Sequence, residues 1–342
     1  PALRRFDGSA WLDVASGDGY PSDTGLSGAA HVGGLRFVAS SHHDNGSFTP
    51  ADPEWVPYLW SFEPAKGWEP LAFPGPDDGV PMHDAWSPDG KTVFVVGEGV
   101  ILTRFAGSWL RFDIANAPRL NAVHGRSATD VYAVGDGIIL HFDGAAWTEV
   151  HTPTGVDLRT VRTNDDGSVF AAGTDCTLLI LDRGSWVPFE PAIPCTDASQ
   201  TIRSLWSSSR SRIHVLAGIF DVHDFDGQWS YDTSDGSTNE RFGSEETVFV
   251  YPGEGTIDRV FGVSEDDVFV AGSWLGHFDG AHWGLMSQPG EPDAASSFPN
   301  VVSANGDAGA IHLVRVNGQI DSLTRLWPWN CRASEEECDN HM

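Results

Sequence analysis

The motif Phe-Asp-Gly-x-x-Trp recurs along this chain, and a motif repeated at near-constant spacing restricts the fold to an array of one supersecondary unit. It is clearest at Phe142-Asp143-Gly144-Ala145-Ala146-Trp147 and at Phe278-Asp279-Gly280-Ala281-His282-Trp283. It returns at Phe6 to Trp11 and, one residue shorter, at Phe225-Asp226-Gly227-Gln228-Trp229. Degenerate copies stand at Phe62 to Trp68, Phe105 to Trp109 and Leu181 to Trp186. The closing tryptophans of these copies are separated by 57, 41, 38, 39, 43 and 54 residues.

The unit from Leu120 to Val150 resolves into four short runs rich in β-branched and aromatic residues. They are Leu-Asn-Ala-Val-His-Gly, Asp-Val-Tyr-Ala-Val-Gly, Ile-Ile-Leu-His-Phe and Ala-Trp-Thr-Glu-Val, each bounded by Gly or Asp, which is the signature of strands separated by turns. Asp143-Gly144 between the third and fourth runs predicts a tight type I′ hairpin, whose two central residues both need positive φ. Four strands per unit of about 40 residues is the arithmetic of a propeller blade. The spacing therefore predicts an all-β protein: a β-propeller of seven blades, each of four antiparallel strands. The two long gaps place insertions at about 40–58 and 231–256.

The ends of the chain complement one another. Leu3 to Phe6 and Ala10 to Leu12 read as third and fourth strands with no first or second before them. Pro299 to Ala304 and Ile311 to Val316 read as a first and a second strand. Residues 1–14 are thus expected to complete the C-terminal blade and close the ring, removing its open edges. Leu323 to Trp329 also reads as a late strand, which would make the last blade self-contained or give it an extra strand. One domain is expected over 1–330, with 331–342 as a tail. No run of about 18 apolar residues is present, so no transmembrane helix is expected. Pro1 reads as the start of a mature or trimmed chain.

The units ending at Trp147 and Trp283 share the pattern Asp-Val-aromatic-Ala/Val-Val/Ala-Gly followed by His-Phe-Asp-Gly-x-x-Trp, carried by Asp130 to Gly135 and Asp267 to Gly272. This pattern resembles the propeller repeats of secreted and surface proteins of bacteria. The resemblance implies the propeller fold; that fold hosts lectins, adhesins, scaffolds and enzymes alike, so it does not by itself imply an activity.

The formal net charge is −28, from 20 Lys and Arg against 48 Asp and Glu. That excess disfavours nucleic acid as a partner, because phosphate binding needs a basic face. The four cysteines point to an oxidising, extracytoplasmic location, whether periplasm, cell surface or exterior. Cys176 and Cys195 fall in loops that open on one face of a propeller, and Cys331 and Cys338 frame the acidic tail segment Glu335-Glu336-Glu337. Four cysteines allow three pairings. Neither pair has the spacing of a zinc site.

Ligands of propellers usually sit where the first strands begin, at the mouth of the central channel. The aligned opening residues are Gly28, His83, Asn121, Arg159, Arg203, Asp258 and Asn300. Six of the seven are polar and they differ from blade to blade, as expected of a pocket for a polar ligand. Arg159 and Arg203, in consecutive blades, suit a carboxylate or sulfate; the opposing reading is that they pair with Asp157, Asp197 or Asp258. His42-His43-Asp44-Asn45 lies within possible reach of His83 as a transition-metal set, and Trp55, Tyr58 and Trp274 could stack on sugar rings. No cofactor is expected; calcium or a transition metal are the ions these segments would suit, although no full calcium loop is present.

Three classes of function follow. The first is an extracytoplasmic binding module, expected to be monomeric, with a polar small molecule, glycan or protein held at the channel mouth. The second is a hydrolase or lyase acting on a polar or anionic polymer, with His83, Asp84 and Asp258 as acid–base candidates. It ranks lower because no Gly-x-Ser-x-Gly or comparable nucleophile motif is present. The third is an interaction scaffold that uses the two insertions as contact loops.

Overall fold

The computed structural model describes residues 3–6, 11–15, 25–32, 36–42, 59–71, 80–150, 152–153, 155–195, 197, 199–218, 221–232, 257–272, 275–280, 283–286, 301–306, 310–315, 317 and 319–324. Among these residues the secondary structure is strand and turn, with no helix. Six sheets are antiparallel meanders of four strands. Blade 1 is built from Gly25–His31, Phe37–His42, Leu59–Glu63 and Gly67–Pro70, and blade 2 from Met82–Trp86, Val93–Gly97, Val100–Phe105 and Ser108–Asp113. Blade 3 comprises Leu120–Ser127, Asp130–Gly135, Ile138–Phe142 and Trp147–Val150, and blade 4 Leu158–Thr163, Val169–Gly173, Leu178–Asp182 and Ser185–Pro188. Blade 5 comprises Ile202–Ser209, Arg212–Ala217, Asp221–Phe225 and Trp229–Asp232, and blade 6 Ile257–Ser264, Asp267–Gly272, Leu275–Phe278 and Trp283–Met286.

The seventh blade closes the ring with five strands. Val301–Gly306, Ala310–Arg315 and Ile320–Thr324 form an antiparallel meander. Leu3–Phe6 then adds in parallel to Ile320–Thr324, and Trp11–Ala15 pairs antiparallel outside it. The N-terminal strands therefore join the C-terminal blade as expected, but as fourth and fifth strands rather than third and fourth. Ile320–Thr324 is joined to its neighbour by a short turn, closed by Arg315 N donating to Gln319 O at 2.8 Å. A local antiparallel pairing closes a shorter loop than a pairing with the far end of the chain, so the N-terminal segment takes the edge that remains.

The core is divided into seven apolar clusters, one for each contact between successive blades. Phe94, Val96 and Ile101 of blade 2 meet Val123, Val131 and Phe142 of blade 3. The closing contact has the same construction: Leu3, Val314 and Ile320 of blade 7 pack on Leu26, Phe37, Ala39 and Trp60 of blade 1. The repeated tryptophans reach backward. Trp147 lies against Phe142 of its own blade and Phe94 of the blade before, at centroid distances of 5.2 and 6.2 Å. The Trp283 indole N–H donates to Asp224 Oδ2 of the preceding blade at 2.8 Å.

The other repeated residues are structural too. His141 pairs with Asp130 at 2.9 Å and stacks on Tyr132, and His277 pairs with Asp267 at 2.8 Å beside Phe269. Burial pushes the His277 imidazole down to about 4, so it serves as a neutral hydrogen-bonding group. Gly125 and Gly262 occupy one position of the first strand, where an added Cβ would meet the ring of Trp86 at 2.9 Å and of Trp206 at 2.5 Å.

The turn expected at Asp143-Gly144 is different in kind. Phe142 pairs with Trp147, which leaves four residues in the loop rather than two. Only Gly144 takes positive φ; Asp143 instead accepts the backbone N–H of Ala145 and Ala146 at 2.8 and 2.9 Å. The two-residue turns with positive φ throughout belong to the degenerate copies, at Ala106-Gly107 and Arg183-Gly184. The better-formed motif thus encodes a longer loop held by an aspartate side chain.

The glycine that ends the second strand provides a stability test. A Cβ at Gly135 would lie 1.8 Å from Arg119 O, whereas one at Gly107 has nothing within 4 Å. Gly135→Ala should lower the unfolding free energy by about 3 kcal/mol, as an overpacked site does. Gly107→Ala should cost only about 1 kcal/mol, from its positive φ. Urea midpoints read by circular dichroism would check both values.

Candidate functional site

Each first strand carries a β-bulge near its start, at the third residue in blade 1 and at the second in blades 2 to 7. In blade 3, Leu120 pairs with Gly135 and Ala122 with Val134, which leaves Asn121 without a cross-strand partner. The same shift singles out Ser27, His83, Arg159, Arg203, Asp258 and Val302. A bulge re-aims the extra side chain and bends the strand, and here it does so at the start of each first strand around the axis. Five of the expected ring residues, His83, Asn121, Arg159, Arg203 and Asp258, hold this position. Gly28 is one residue too late, and the blade 1 position belongs to Ser27. In blade 7 the position belongs to Val302; Asn300 lies outside the described residues. Without the bulge register, Pro-Asn-Val-Val-Ser offers two equivalent alignments.

Most polar side chains of this ring tie one blade to the next. Ser27 Oγ donates to Met82 O at 2.5 Å, and Asn121 Nδ2 donates to Asp157 Oδ1 at 2.6 Å and Leu158 O at 2.9 Å. Asp84 Oδ2 accepts from Val123 N at 3.0 Å, Asp258 Oδ2 from Val301 N at 3.0 Å, and Ser204 Oγ from Val260 N at 3.1 Å. Arg159 is ion-paired with Asp157, the opposing reading raised above for the arginines. Burial and the neighbouring Asp136 carboxyl raise Asp157, against the pull of Arg159 and Asn121. His83 Nε2 stands 3.8 Å from Glu98 Oε1. Asp197 is occupied by Ser199, whose N–H and Oγ it accepts at 2.8 and 2.9 Å.

Arg203 differs. It makes no hydrogen bond or ion pair with any described residue, and its charge is felt by Arg259 in the next blade. The Arg259 donors go to backbone carbonyls, Nε and Nη2 to Val302 O at 3.1 and 3.0 Å and Nη1 to Asp258 O at 3.1 Å. Burial lowers the Arg259 guanidinium below its usual range, Asp84 and Asp258 act against that, and Arg203 adds to it. Asp84 belongs to blade 2 and Arg259 to blade 6, which are not neighbours, so their attraction runs across the lumen. Burial pushes the Asp84 carboxyl up to about 6 despite the Val123 N–H and Arg259. Gly28 has its own reason: a Cβ there would stand 2.7 Å from Asp84 Oδ1.

Arg259 was not among the ring residues expected from sequence. A bulge turns two consecutive residues away from the core, so adjacent polar pairs such as His83-Asp84 and Asp258-Arg259 are the signal that could have found it. Arg162 was also not anticipated. It donates to His124 Nε2 at 3.1 Å and lies 5.8 Å from the Trp206 ring. His124 stands at the strand position that Trp86 and Trp206 hold in their blades, and burial holds it neutral, well below its usual value.

Cys176 and Cys195 are disulfide-bonded, with Cα atoms 6.4 Å apart. The bond joins the loop after the second strand of blade 4 to the connection leaving that blade, on the face where the first strands begin. Cys331, Cys338, His43, Asp44, Asn45, Trp55, Tyr58 and Trp274 lie outside the described residues; His42 ends the second strand of blade 1. Among the described residues no group of three or more His, Cys, Asp or Glu is placed to hold a metal ion, and no helix is long and apolar enough to cross a membrane.

Solved structures share this architecture. YCF48 bound to D1 peptide is similar with a TM-score of 0.61 at 11% identity, over 91% of this chain and 97% of that one. The extracellular domain of a putative one-component system from B. thetaiotaomicron has a TM-score of 0.60 at 10% identity, over 91% of this chain but 39% of that one. The computationally designed protein Ika8 has a TM-score of 0.59 at 13% identity, over 91% and 99% of the two chains. No protein-family model and no curated protein matches the sequence. At these identities the likeness shows the fold. The chain is a seven-bladed β-propeller.

The raised Asp84 carboxyl makes a pH prediction. Its folded value of about 6 exceeds the ordinary 3.8, so the folded state binds the proton more tightly and this residue's contribution falls as pH rises from about 4 to 6. The full linkage would be about 3 kcal/mol; Asp84 keeps some accessible surface, so we expect about 1 kcal/mol. Asp84→Asn should stabilise the protein by that amount at pH 7.5 and flatten the pH dependence between 4 and 6, as read by thermal melts across that range.

Proposed function

We propose that this protein is an extracytoplasmic binding module that takes a carboxylate-bearing ligand at the channel mouth, beside Arg203 and Arg259. The observation that carries this reading is Arg203. Around it Asn121, Asp258 and Ser27 are committed to inter-blade hydrogen bonds and Arg159 to Asp157. Arg203 has no such partner among the described residues, although the chain has a net charge of −28. An arginine that shares a partly enclosed site with a second arginine is suited to a carboxylate, which can accept two parallel N–H donors. The closed ring presents these groups on rigid strands.

The extracytoplasmic part of the reading is supported by the Cys176–Cys195 disulfide, a bond that persists in oxidising compartments. A propeller of this fold has been captured with a peptide, which supports a peptide carboxylate as one form of the ligand. A catalytic reading ranks second and rests on Asp84, which faces Arg259 of blade 6 and whose carboxyl burial raises to about 6, a range suited to a general acid or base.

The test compares short acidic peptides and small dicarboxylates with their amidated counterparts by calorimetry. Arg203→Ala should weaken carboxylate binding at least tenfold, the loss expected of a charge-assisted hydrogen bond, while Arg159→Ala should change it less than threefold. Equal affinity in Arg203→Ala and the parent protein would remove the proposal.

A further inference from the structure

The opposite face of the ring holds a second concentration of positive charge that the channel-mouth reading does not use. A cavity of about 340 Å³ opens between blades 1 and 2, lined by Val32, Arg36, Gly90, Lys91, Arg104 and the Ala106-Gly107 turn. Val32 and Arg36 flank the turn between the first two strands of blade 1, and Gly90 and Lys91 lie in the corresponding turn of blade 2. Ala106-Gly107 joins the third and fourth strands of blade 2. These connections face away from the Cys176–Cys195 side, so the cavity and the channel mouth lie at opposite ends of the ring.

Three cations meet here in a chain that has only 20 Lys and Arg against 48 acids. The Arg104 Nε is buried without a hydrogen-bond partner among the described residues. Neither Arg104 nor Lys91 forms an ion pair with a described residue. Asp89, the nearby acid, is turned to the backbone: its Oδ1 accepts from Lys91 N at 2.8 Å and Thr92 N at 2.6 Å, and its Oδ2 accepts from Thr92 Oγ1 at 3.2 Å. Its charge reaches Lys91 only at a distance. The cavity also has room, since a Cβ on Gly107 would meet nothing within 4 Å.

We propose that this cavity is an independent site for a small oxyanion, a carboxylate, sulfate or phosphate group, held by Arg104 and Lys91 with Arg36 at the rim. Arg104 and Lys91, which have no ion-paired acid among the described residues, raise the local potential and attract an anion. A buried guanidinium N–H without an acceptor costs free energy that an oxyanion recovers. The volume admits one oxyanion group with a few attached atoms. The strongly acidic remainder of the surface repels an extended polyanion.

Calorimetric titration of the full chain at low ionic strength, with sodium sulfate, sodium phosphate and sodium acetate in turn, tests the site. We expect saturable millimolar binding of at least one anion, weakened at least fivefold in Arg104→Gln and in Lys91→Gln and unchanged in Arg210→Gln, a cation of the same face in blade 5 that is paired with Asp182, with Arg203→Ala titrated alongside. Preference for sulfate or phosphate over acetate would identify a tetrahedral group, and the reverse a planar carboxylate. Lys91 is exposed, so Lys91→Gln keeps the test decisive should Arg104→Gln fail to fold. No saturable binding of any of the three, or parental affinity in the variants that fold, would overturn the site. A loss confined to Arg203→Ala would also overturn it and would place the anion at the channel mouth instead.

Discussion

Apolar packing between successive sheets is the interaction on which everything else in this ring rests. A four-stranded sheet has two faces and cannot bury both alone, so each blade is stable only with a neighbour on either side. The seven clusters show this directly, since each takes its residues from two blades. The contact between blades 1 and 7 depends on Leu3, a residue from the other end of the chain from Val314 and Ile320. Ring closure is therefore the same apolar contact as the other six, made between residues as far apart in sequence as Leu26 and Ile320.

Nearer the axis the same problem is solved with polar groups. The first strands converge there, and the bulge near their start points side chains such as Ser27, Asn121 and Asp258 at the backbone or side chains of the next blade. A polar ring at a channel mouth thus has a structural explanation before it has a functional one. What distinguishes a binding residue from a strut is whether its hydrogen-bonding capacity is spent inside the protein. By that criterion Arg159 is a strut, whereas Arg203 has no hydrogen bond or ion pair among the described residues, although the sequence presents the two alike.

The limits of reading this fold from sequence lie at the same places. Blade number, the strand order of the first six blades and the tryptophans that close each unit were legible because they repeat. The third-strand histidines were legible as structural for the same reason, and Asp130 and Asp267 turn out to be their partners. The Asp143-Gly144 turn was misread because the aspartate's capping of two N–H groups leaves no trace in residue type that separates it from a type I′ turn. Gly28 was aligned in place of Ser27 because a bulge shifts register by one residue, and apolar alternation does not report that shift. The Asp84–Arg259 attraction was not legible, since it joins blades 2 and 6 across a lumen whose closure is a property of the whole chain.

The pairing of Leu3–Phe6 with Ile320–Thr324 also fixes where this ring can come apart. Six of its seven sheets are woven from unbroken stretches of chain, each leading directly into the next. The seventh is a clasp, in which two strands from one end lie outside three from the other. Detaching that outer hairpin would unjoin the two chain ends at one place, with Val314 and Ile320 still packed on blade 1, while every other blade kept all of its own strands. The ring is therefore topologically an open bracelet, fastened at a single point by one row of parallel hydrogen bonds and one apolar seam.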